Sequence, residues 1–296
     1  MDISVIIVNW NTKKLLEDCL KSIFKHTKGI NFEVIVVDNA STDGSPQMVK
    51  TKFPEVVLIQ NKDNLGFTKA NNRGINSAKG DYVMLLNSDT YLVENAFKKL
   101  LDAAKSKNNK AVLSPLLLNE DRSIQQSVGF FPDLPQVFFW MSFLDDLPFG
   151  QFLKPYHVDH DSFYKQEREV DWLTGAAIFL PKEVIDKAGN LNEEIFMYGE
   201  DVEWCFRIKK AGYKIFLYPE AQIVHIGRGS SKKIPTKAFI GEYEGVKFFY
   251  RKYRSAFALQ IARLFLKIGA LLRIFIFSVL GRKELAKSYV EAFKVA

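Results

Sequence analysis

The chain of 296 residues predicts an α/β fold with a mostly parallel central sheet. Three observations carry that expectation. Short, uniformly apolar runs recur at residues 3–8, 33–37, 56–60 and 82–86, and strands buried on both faces read this way. Amphipathic stretches of helical length separate them, notably about Lys13 to His26 and Gly66 to Ala78, and strand–helix alternation builds a sheet covered on both faces. Two of the runs stop abruptly at polar residues, Asp38 and Asn87-Ser88-Asp89. Ligands of open α/β sheets bind beyond the carboxyl ends of such strands.

Taken in order, Ile3 to Val8 predicts the first strand and Glu33 to Val37 the second. Thr42-Asp43-Gly44-Ser45-Pro46 is turn and cap chemistry opening a helix. Residues 56–60, Gly66 to Ala78 and 82–86 predict a third strand, a helix and a fourth strand. A helix from Glu94 to about Lys105 precedes short strands near 111–117 and 122–128. Residues 129–168 carry Pro132, Pro135, Pro148 and Pro155 and are expected to be irregular. Their apolar patch, Val137 to Phe143, reads either as a small packed core or as an exposed interaction lip. Residues 170–180 predict a strand with Gly175 in the middle. A helix near Pro181 to Ala188, a helix after Tyr198-Gly199 that stops at Gly212, strands near 214–217 and 221–226, and helices from about Thr236 complete the chain.

Composition excludes several classes. The net charge of +7 is uneven: from Arg228 onward there are 15 Lys and Arg against 4 Glu, so the remainder is mildly acidic. That pattern argues against a nucleic-acid binder and for a basic tail facing something anionic. Cys19 and Cys205 are far apart, lack metal-ligand spacing and read as reduced, buried thiols. The N-terminus has no basic lead and reads as a strand rather than a signal peptide.

Asp38 stands where a dinucleotide-binding fold holds a ribose hydroxyl. The first turn, Val8-Asn9-Trp10-Asn11, has no glycine, so the phosphate cradle of that fold is missing. Asp89 ends the fourth strand, where a hard cation and a diphosphate can meet a carboxylate. A helix cap remains the plainer role for Asp38.

Five segments then occur in order: Ser4-Val-Ile-Ile-Val-Asn-Trp-Asn11, Val34-Ile-Val-Val-Asp-Asn-Ala-Ser-Thr-Asp-Gly44, Asn64-Leu-Gly-Phe-Thr-Lys-Ala-Asn-Asn-Arg-Gly74, Leu85-Leu-Asn-Ser-Asp-Thr90 and Phe196-Met-Tyr-Gly-Glu-Asp-Val-Glu203. Together, over about residues 3–231, they resemble the family 2 inverting glycosyltransferases, and most of all their rhamnosyltransferase-like branch. The resemblance implies a GT-A-type nucleotide-binding fold and a nucleotide-diphosphate-sugar donor, dTDP-rhamnose or a UDP-hexose. It implies a saccharide or lipid-linked saccharide acceptor in cell-surface polysaccharide synthesis.

It also implies roles. Asp38 would bind the nucleobase and Trp10 line its pocket, a buried core Trp being the alternative. Asp43 would contact the ribose or cap the following helix. Gly66, Asn72 and Arg73 would lie along the donor, whose diphosphate a helix N-terminus favours. Asn87-Ser88-Asp89 takes the place of the family's Asp-x-Asp motif, with Asn for the first acid. Asp89 would hold Mg²⁺ or Mn²⁺, with His225 either a second ligand or a structural residue. Ser230 and Lys232 would cover the diphosphate, or simply be solvated. Asp201 would be the general base, with Glu200 holding geometry or acceptor, and Trp172, Thr174 and Gly175 would shape the acceptor side.

The expected organisation is a catalytic domain over 1–235, with a donor half about 1–115 and an acceptor half about 116–235. A basic helical extension over 236–296 follows. Ala256 to Leu280 is long enough to span a bilayer, but Arg263, Lys267 and Arg273 inside it make spanning costly. A helix lying on an anionic membrane surface fits better, and a helix packed on protein is the alternative. The expected location is peripheral, on the cytoplasmic face of the cell membrane; a homo-oligomer is compatible with the sequence. Two other classes stay in view. A nucleotidyltransferase would need a Gly-rich basic loop after the first strand, and a non-catalytic sugar-nucleotide-binding scaffold would have no need of Asp89 and Asp201.

Overall fold

The computed structural model describes residues 1–147, 149–227 and 236–296. The first half alternates as the apolar periodicity dictates: β1 (Ile3–Asn9), α1 (Lys13–His26), β2 (Phe32–Asp38), α2 (Ser45–Lys52), β3 (Val57–Gln60), α3 (Gly66–Ser77), β4 (Tyr82–Asn87), β5 (Thr90–Leu92) and α4 (Ala96–Ser106). Then follow β6 (Ala111–Leu118), β7 (Val128–Gly129), α5 (Leu134–Ser142), β8 (Arg168–Glu169), β9 (Trp172–Leu173), β10 (Ala177–Pro181), α6 (Lys182–Ala188), α7 (Glu200–Lys210) and β11 (Lys214–His225). Three helices end the chain: α8 (Thr236–Tyr253), α9 (Ala256–Val279) and α10 (Lys283–Val295).

The main sheet runs β3-β2-β1-β4-β10-β6-β11-β5, with β8 also beside β11. β3, β2, β1 and β4 are parallel. β10 is antiparallel to both β4 and β6, whereas β6 and β11 are parallel. The register sets Asn9 opposite Asp38 and Val8 opposite Asn87, so the polar ends of β1, β2 and β4 share one rim. One face is covered by α1, α2 and α4 through Leu16, Met48, Phe97 and their neighbours. The other is covered by α3, α6, α7 and the terminal helices, through Ile75, Val184, Trp204, Tyr243 and Leu266.

Four local expectations change. Residues 129–168 are not wholly irregular, because Leu134–Ser142 forms α5. Pro135 lies in its first turn, where its missing N–H costs nothing. Val137 and Met141 are buried and Phe138 is 41 % exposed, so the patch is mainly a packed core. The stretch 122–128 contributes only the start of β7. The strand expected over 170–180 is two strands, β9 and β10, joined by a turn at Thr174-Gly175-Ala176. Conversely, 214–226 is one long strand whose register shifts between Tyr218 and Gln222.

The terminal helices are built into the body. A Cβ on Gly199 would stand 2.7 Å from Cα of Gly245, and one on Gly241 would stand 2.5 Å from the Tyr198 ring. Backbone therefore meets backbone where α8 crosses the approach to α7. Glu203, 1 % exposed, accepts from Arg207 (2.8 and 3.0 Å) and from Lys252 (3.2 Å), and also from the Tyr253 hydroxyl. Of the three basic residues expected to reach outward from α9, Arg273 turns inward. It is 4 % exposed and donates to the carbonyls of Trp140 (2.6 Å) and Met141 (2.8 Å) at the end of α5, where a cation suits the helix C-terminus. The opposite face of α9 exposes Leu264, Ile268, Leu271, Phe275 and Val279 at helical spacing. Among the described residues no helix is long and apolar enough to cross a membrane.

Candidate active site

The ends of β1, β4 and β11, the β9–β10 turn and the N-termini of α3 and α7 enclose one cavity of about 570 Å³. Asn87, Ser88, Asp89, Gly175, Glu200, Asp201 and His225 line it, and Trp10 and Gly66 also border it. Asp89 and Asp201 therefore face a common space large enough for a substantial ligand.

Strand pairing brings His225 to Asp89. β5 runs antiparallel to β11 with Thr90 opposite His225, and the Ile226 amide donates to the Asp89 carbonyl at 2.9 Å. The His225 Nε2 then lies 3.3 Å from Asp89 Oδ1. On the far side of the ring, Nδ1 is 2.6 Å from Oε1 of Gln125. The Gln125 amide nitrogen donates to Asn119 Oδ1 (3.0 Å) and to the His225 carbonyl (3.1 Å). Both partners only accept, so the amide orientation is set and its oxygen meets the ring. Nδ1 therefore carries a hydrogen, and Nε2 faces Asp89 and the Asn87 side-chain amide nitrogen (3.4 Å).

Among the described residues no group of three or more His, Cys, Asp or Glu gathers as a complete metal cage. A carboxylate and an imidazole side by side still fit a divalent cation that completes its shell with water and phosphate oxygens. The Gln125 contact is the kind of outer partner that orients a ligating histidine. Gln125 lies in no motif, so nothing in the sequence pointed to it.

The acid pair opens α7. Tyr198 (φ 73°) and Gly199 (φ 92°) adopt left-handed backbone immediately before it, a strained approach of the type found at functional sites. Asp201 accepts from the Gly175 amide (3.2 Å) through Oδ2 and from its neighbour Val202 (2.8 Å) through Oδ1. Glu200 is 6 % exposed, and its Oε2 has no hydrogen-bond partner among the described residues. Burial first, and then the adjacent Asp201 charge, pushes Glu200 up to about 8. Burial also raises Asp201, against the pull of the Val202 and Gly175 amides. Glu200 thus holds its proton at neutral pH, while Asp201 presents the more accessible, backbone-oriented carboxylate.

The other expected residues divide. Trp172, Thr174 and Gly175 border the cavity, and the Trp172 Nε1 donates to the carbonyls of Phe130 (3.1 Å) and Tyr156 (2.9 Å). Trp10 is 48 % exposed at the rim, not a core residue. Asp38 is 1 % exposed and lies behind the lining; it accepts from Asn9 (2.9 Å) and the Ser41 amide (2.9 Å). Asp43 joins two helix starts, accepting from the Lys13 amide (2.8 Å) and the Ser45 amide (2.9 Å). Asn72 is buried and holds the chain at Leu191 (2.9 and 3.1 Å). Arg73 is exposed and donates to Asn61. Ser230 and Lys232 lie outside the described residues. Sequence reasoning missed Tyr156, His157 and Glu242, which also line the cavity. Glu242 sits on α8, in a segment the charge pattern had set apart.

Comparison with known proteins adds the following. A family model described as glycosyl transferase family 2 matches residues 4–129. Over 256 residues the chain is 27% identical to the N-acetylglucosaminyl-diphospho-decaprenol L-rhamnosyltransferase of Mycobacterium tuberculosis, spanning 83% of this chain and 82% of that one. The solved mannosyltransferase PcManGT from Pyrobaculum calidifontis, in complex with GDP-Man and Mn²⁺, superposes with a TM-score of 0.61 at 16% identity, covering 98% of this chain and 85% of the other. S. aureus TarS 1-349 in complex with UDP gives a TM-score of 0.56 at 16% identity, covering 100% and 90%. At such identities the likeness to solved structures is one of fold, and the fold is that of GT-A glycosyltransferases.

Proposed function

We infer that this chain, which belongs to the family 2 glycosyltransferases and is rhamnosyltransferase-like in sequence, moves a sugar from a nucleotide-diphosphate donor to a saccharide or lipid-linked saccharide acceptor with inversion. The single observation that carries the reading is the shared cavity. Asp89, paired with His225, and Asp201 line the same space. In the transfer, Asp201 takes the proton of an acceptor hydroxyl as that oxygen attacks the anomeric carbon. The bond from that carbon to the phosphate oxygen breaks, and its electron pair leaves with the nucleoside diphosphate. The amides of Gly175 and Val202 orient the Asp201 carboxylate, and Glu200, protonated beside it, keeps a second negative charge from forming there. Asp89 and His225 would hold Mn²⁺ or Mg²⁺, and such a cation supplies positive charge to the departing diphosphate.

The name of the M. tuberculosis relative supports L-rhamnose as the sugar and a polyprenyl-diphosphate-linked N-acetylglucosamine as the acceptor, so dTDP-rhamnose is the first donor to try, with UDP-hexoses as the rivals. The exposed apolar face of α9, flanked by Arg251, Lys252, Arg282 and Lys283, supports docking on an anionic lipid surface, as expected for an amphipathic basic helix.

The test is transfer by the full chain with Mn²⁺, these donors and a short-chain lipid-diphosphate acceptor, with product anomers read by NMR. Asp201→Asn is expected to lower transfer at least about 100-fold while keeping nucleotide affinity. A retained anomeric configuration, or full activity in Asp201→Asn, would remove this reading.

A further inference from the structure

A second cavity, of about 310 Å³, adjoins the first. The two share Gln126, Ser127, His157, Trp172 and Glu242 as a common wall. In that wall His157 Nε2 pairs with Glu242 Oε1 at 2.6 Å. The pair joins the segment after α5 to helix α8, so both halves of the chain are needed to form the cavity.

Its lining is acidic, like that of the neighbouring space, where among the described residues Asp89, Glu200, Asp201 and Glu242 face only His157 and His225. Asp145, Asp146, Asp159 and Glu242 line the second cavity against only His157 and Arg273. Arg273 is already committed to two backbone carbonyls, and none of the three aspartates has an ion-pair partner among the described residues. A cavity with this balance repels a phosphate, as the first would without a bound cation. Its carboxylates can only accept hydrogen bonds while ionised, so the complementary ligand is rich in donors. Trp140, Trp172 and Tyr289 supply aromatic surface, and the Trp140, Tyr156 and Trp172 rings crowd the His157 imidazole, at centroid distances of 5.4, 4.3 and 5.5 Å. A second observation points to a ligand independently of the acids. The Ser127 hydroxyl, on a residue 2 % exposed in the shared wall, has no hydrogen-bond partner among the described residues, and a buried hydroxyl left so is costly.

We propose that this second cavity binds the acceptor's sugar ring: an uncharged, hydroxyl-rich saccharide whose hydroxyls donate to Asp145, Asp159 and Glu242, bond with Ser127, and whose apolar face lies on Trp140. The proposal rests on the glycosyl-transfer reading and deepens it. The two cavities share a wall, so the ring would lie beside the space that Asp201 borders. An acceptor carrying its own phosphate would leave that group outside the cavity.

The test uses the full chain and a panel of uncharged methyl glycosides (gluco, galacto, manno, rhamno and N-acetylgluco), titrated while tryptophan fluorescence is followed. UDP and dTDP are titrated in parallel with Mn²⁺. Asp159→Asn lies on an exposed residue, and Asp145→Asn is isosteric, so neither variant threatens the core. At least one glycoside is expected to bind, and the ratio of its affinity to nucleotide affinity is expected to fall tenfold or more in the double variant. Inorganic diphosphate is expected not to compete with the glycoside. Failure of every glycoside to bind, an unchanged ratio in the double variant, or competition by diphosphate would each overturn the proposal. Nucleotide-sugar hydrolysis by the parent separates the two levels: its absence removes the glycosyl-transfer reading, whereas hydrolysis together with an unchanged ratio removes only the subsite.

Discussion

The His225 Nε2 lies 3.3 Å from Asp89 Oδ1, and Gln125 holds the opposite ring nitrogen at 2.6 Å. A hydrogen bond on one nitrogen decides the tautomer on the other, so Gln125 acts on any cation bound there without touching it. Gln125→Ala is expected to weaken Mn²⁺ binding in the presence of UDP by about 10- to 100-fold, and His225→Ala by more. Isothermal titration of Mn²⁺ into the UDP complex checks this. Equal affinity in Gln125→Ala and parent would show that the ring needs no such partner.

Glu200 makes stability depend on pH. Its carboxyl is raised to about 8, mainly by burial and then by Asp201, while the unfolded chain releases that proton near the ordinary 4.5. Between those values the native state binds the extra proton, so stability falls as pH rises, by up to roughly 1.4 kcal/mol per pH unit. Below about 4.5 both states are protonated and the contribution is complete. Glu200→Gln is expected to flatten the slope between pH 5 and 8 in urea unfolding. A slope unchanged by the substitution would assign the effect to other groups, Asp145 among them, which burial raises to about 6.

Gly199 cannot take a side chain where it stands. A Cβ would meet Gly245 Cα at 2.7 Å, and its φ of 92° is strained for any other residue. Gly199→Ala is expected to cost about 1–3 kcal/mol and to reduce transfer further, because α8 displaced by the new methyl carries Glu242 away and the start of α7 shifts. Thermal unfolding and steady-state transfer measure the two effects. A variant with parental stability would mean that α8 yields freely.

Glu203 is a buried acid held by Arg207, Lys252 and Tyr253. Removing one partner of such a network leaves charge uncompensated. Glu203→Ala is expected to destabilise the fold by about 3–5 kcal/mol, read from the urea midpoint at constant slope. A loss below about 1 kcal/mol would show the network to be replaceable.

The exposed face of α9 predicts lipid dependence. Leu271→Asp with Phe275→Asp is expected to reduce co-sedimentation with phosphatidylglycerol vesicles at least tenfold, and high salt is expected to weaken binding by the parent. A vesicle-free dimer that the double variant dissociates would reassign that face to a second copy of the chain.

Much of this molecule was legible in the order of residues. The uniformly apolar runs and their polar stops located β1, β2 and β4 and put Asp89 at a cleft, because burial on both faces of a parallel sheet demands that pattern. Asp89 stood out locally, as an acid where the chain leaves its strand, whereas Glu200-Asp201 stood out through the resemblance to the family's motif. Other features depend on contacts between distant segments, which periodicity does not record. The antiparallel pairing of β5 with β11 brings His225 to Asp89. Close approach of Gly199 to Gly245 ties a helix that reads as a separate basic tail into the cavity wall, and the His157–Glu242 pair divides two cavities that no single stretch outlines. Asp38 and Asn72 matched motif positions, yet the fold spends their polar groups on holding chain to chain, since a buried polar group takes whichever partner packing offers.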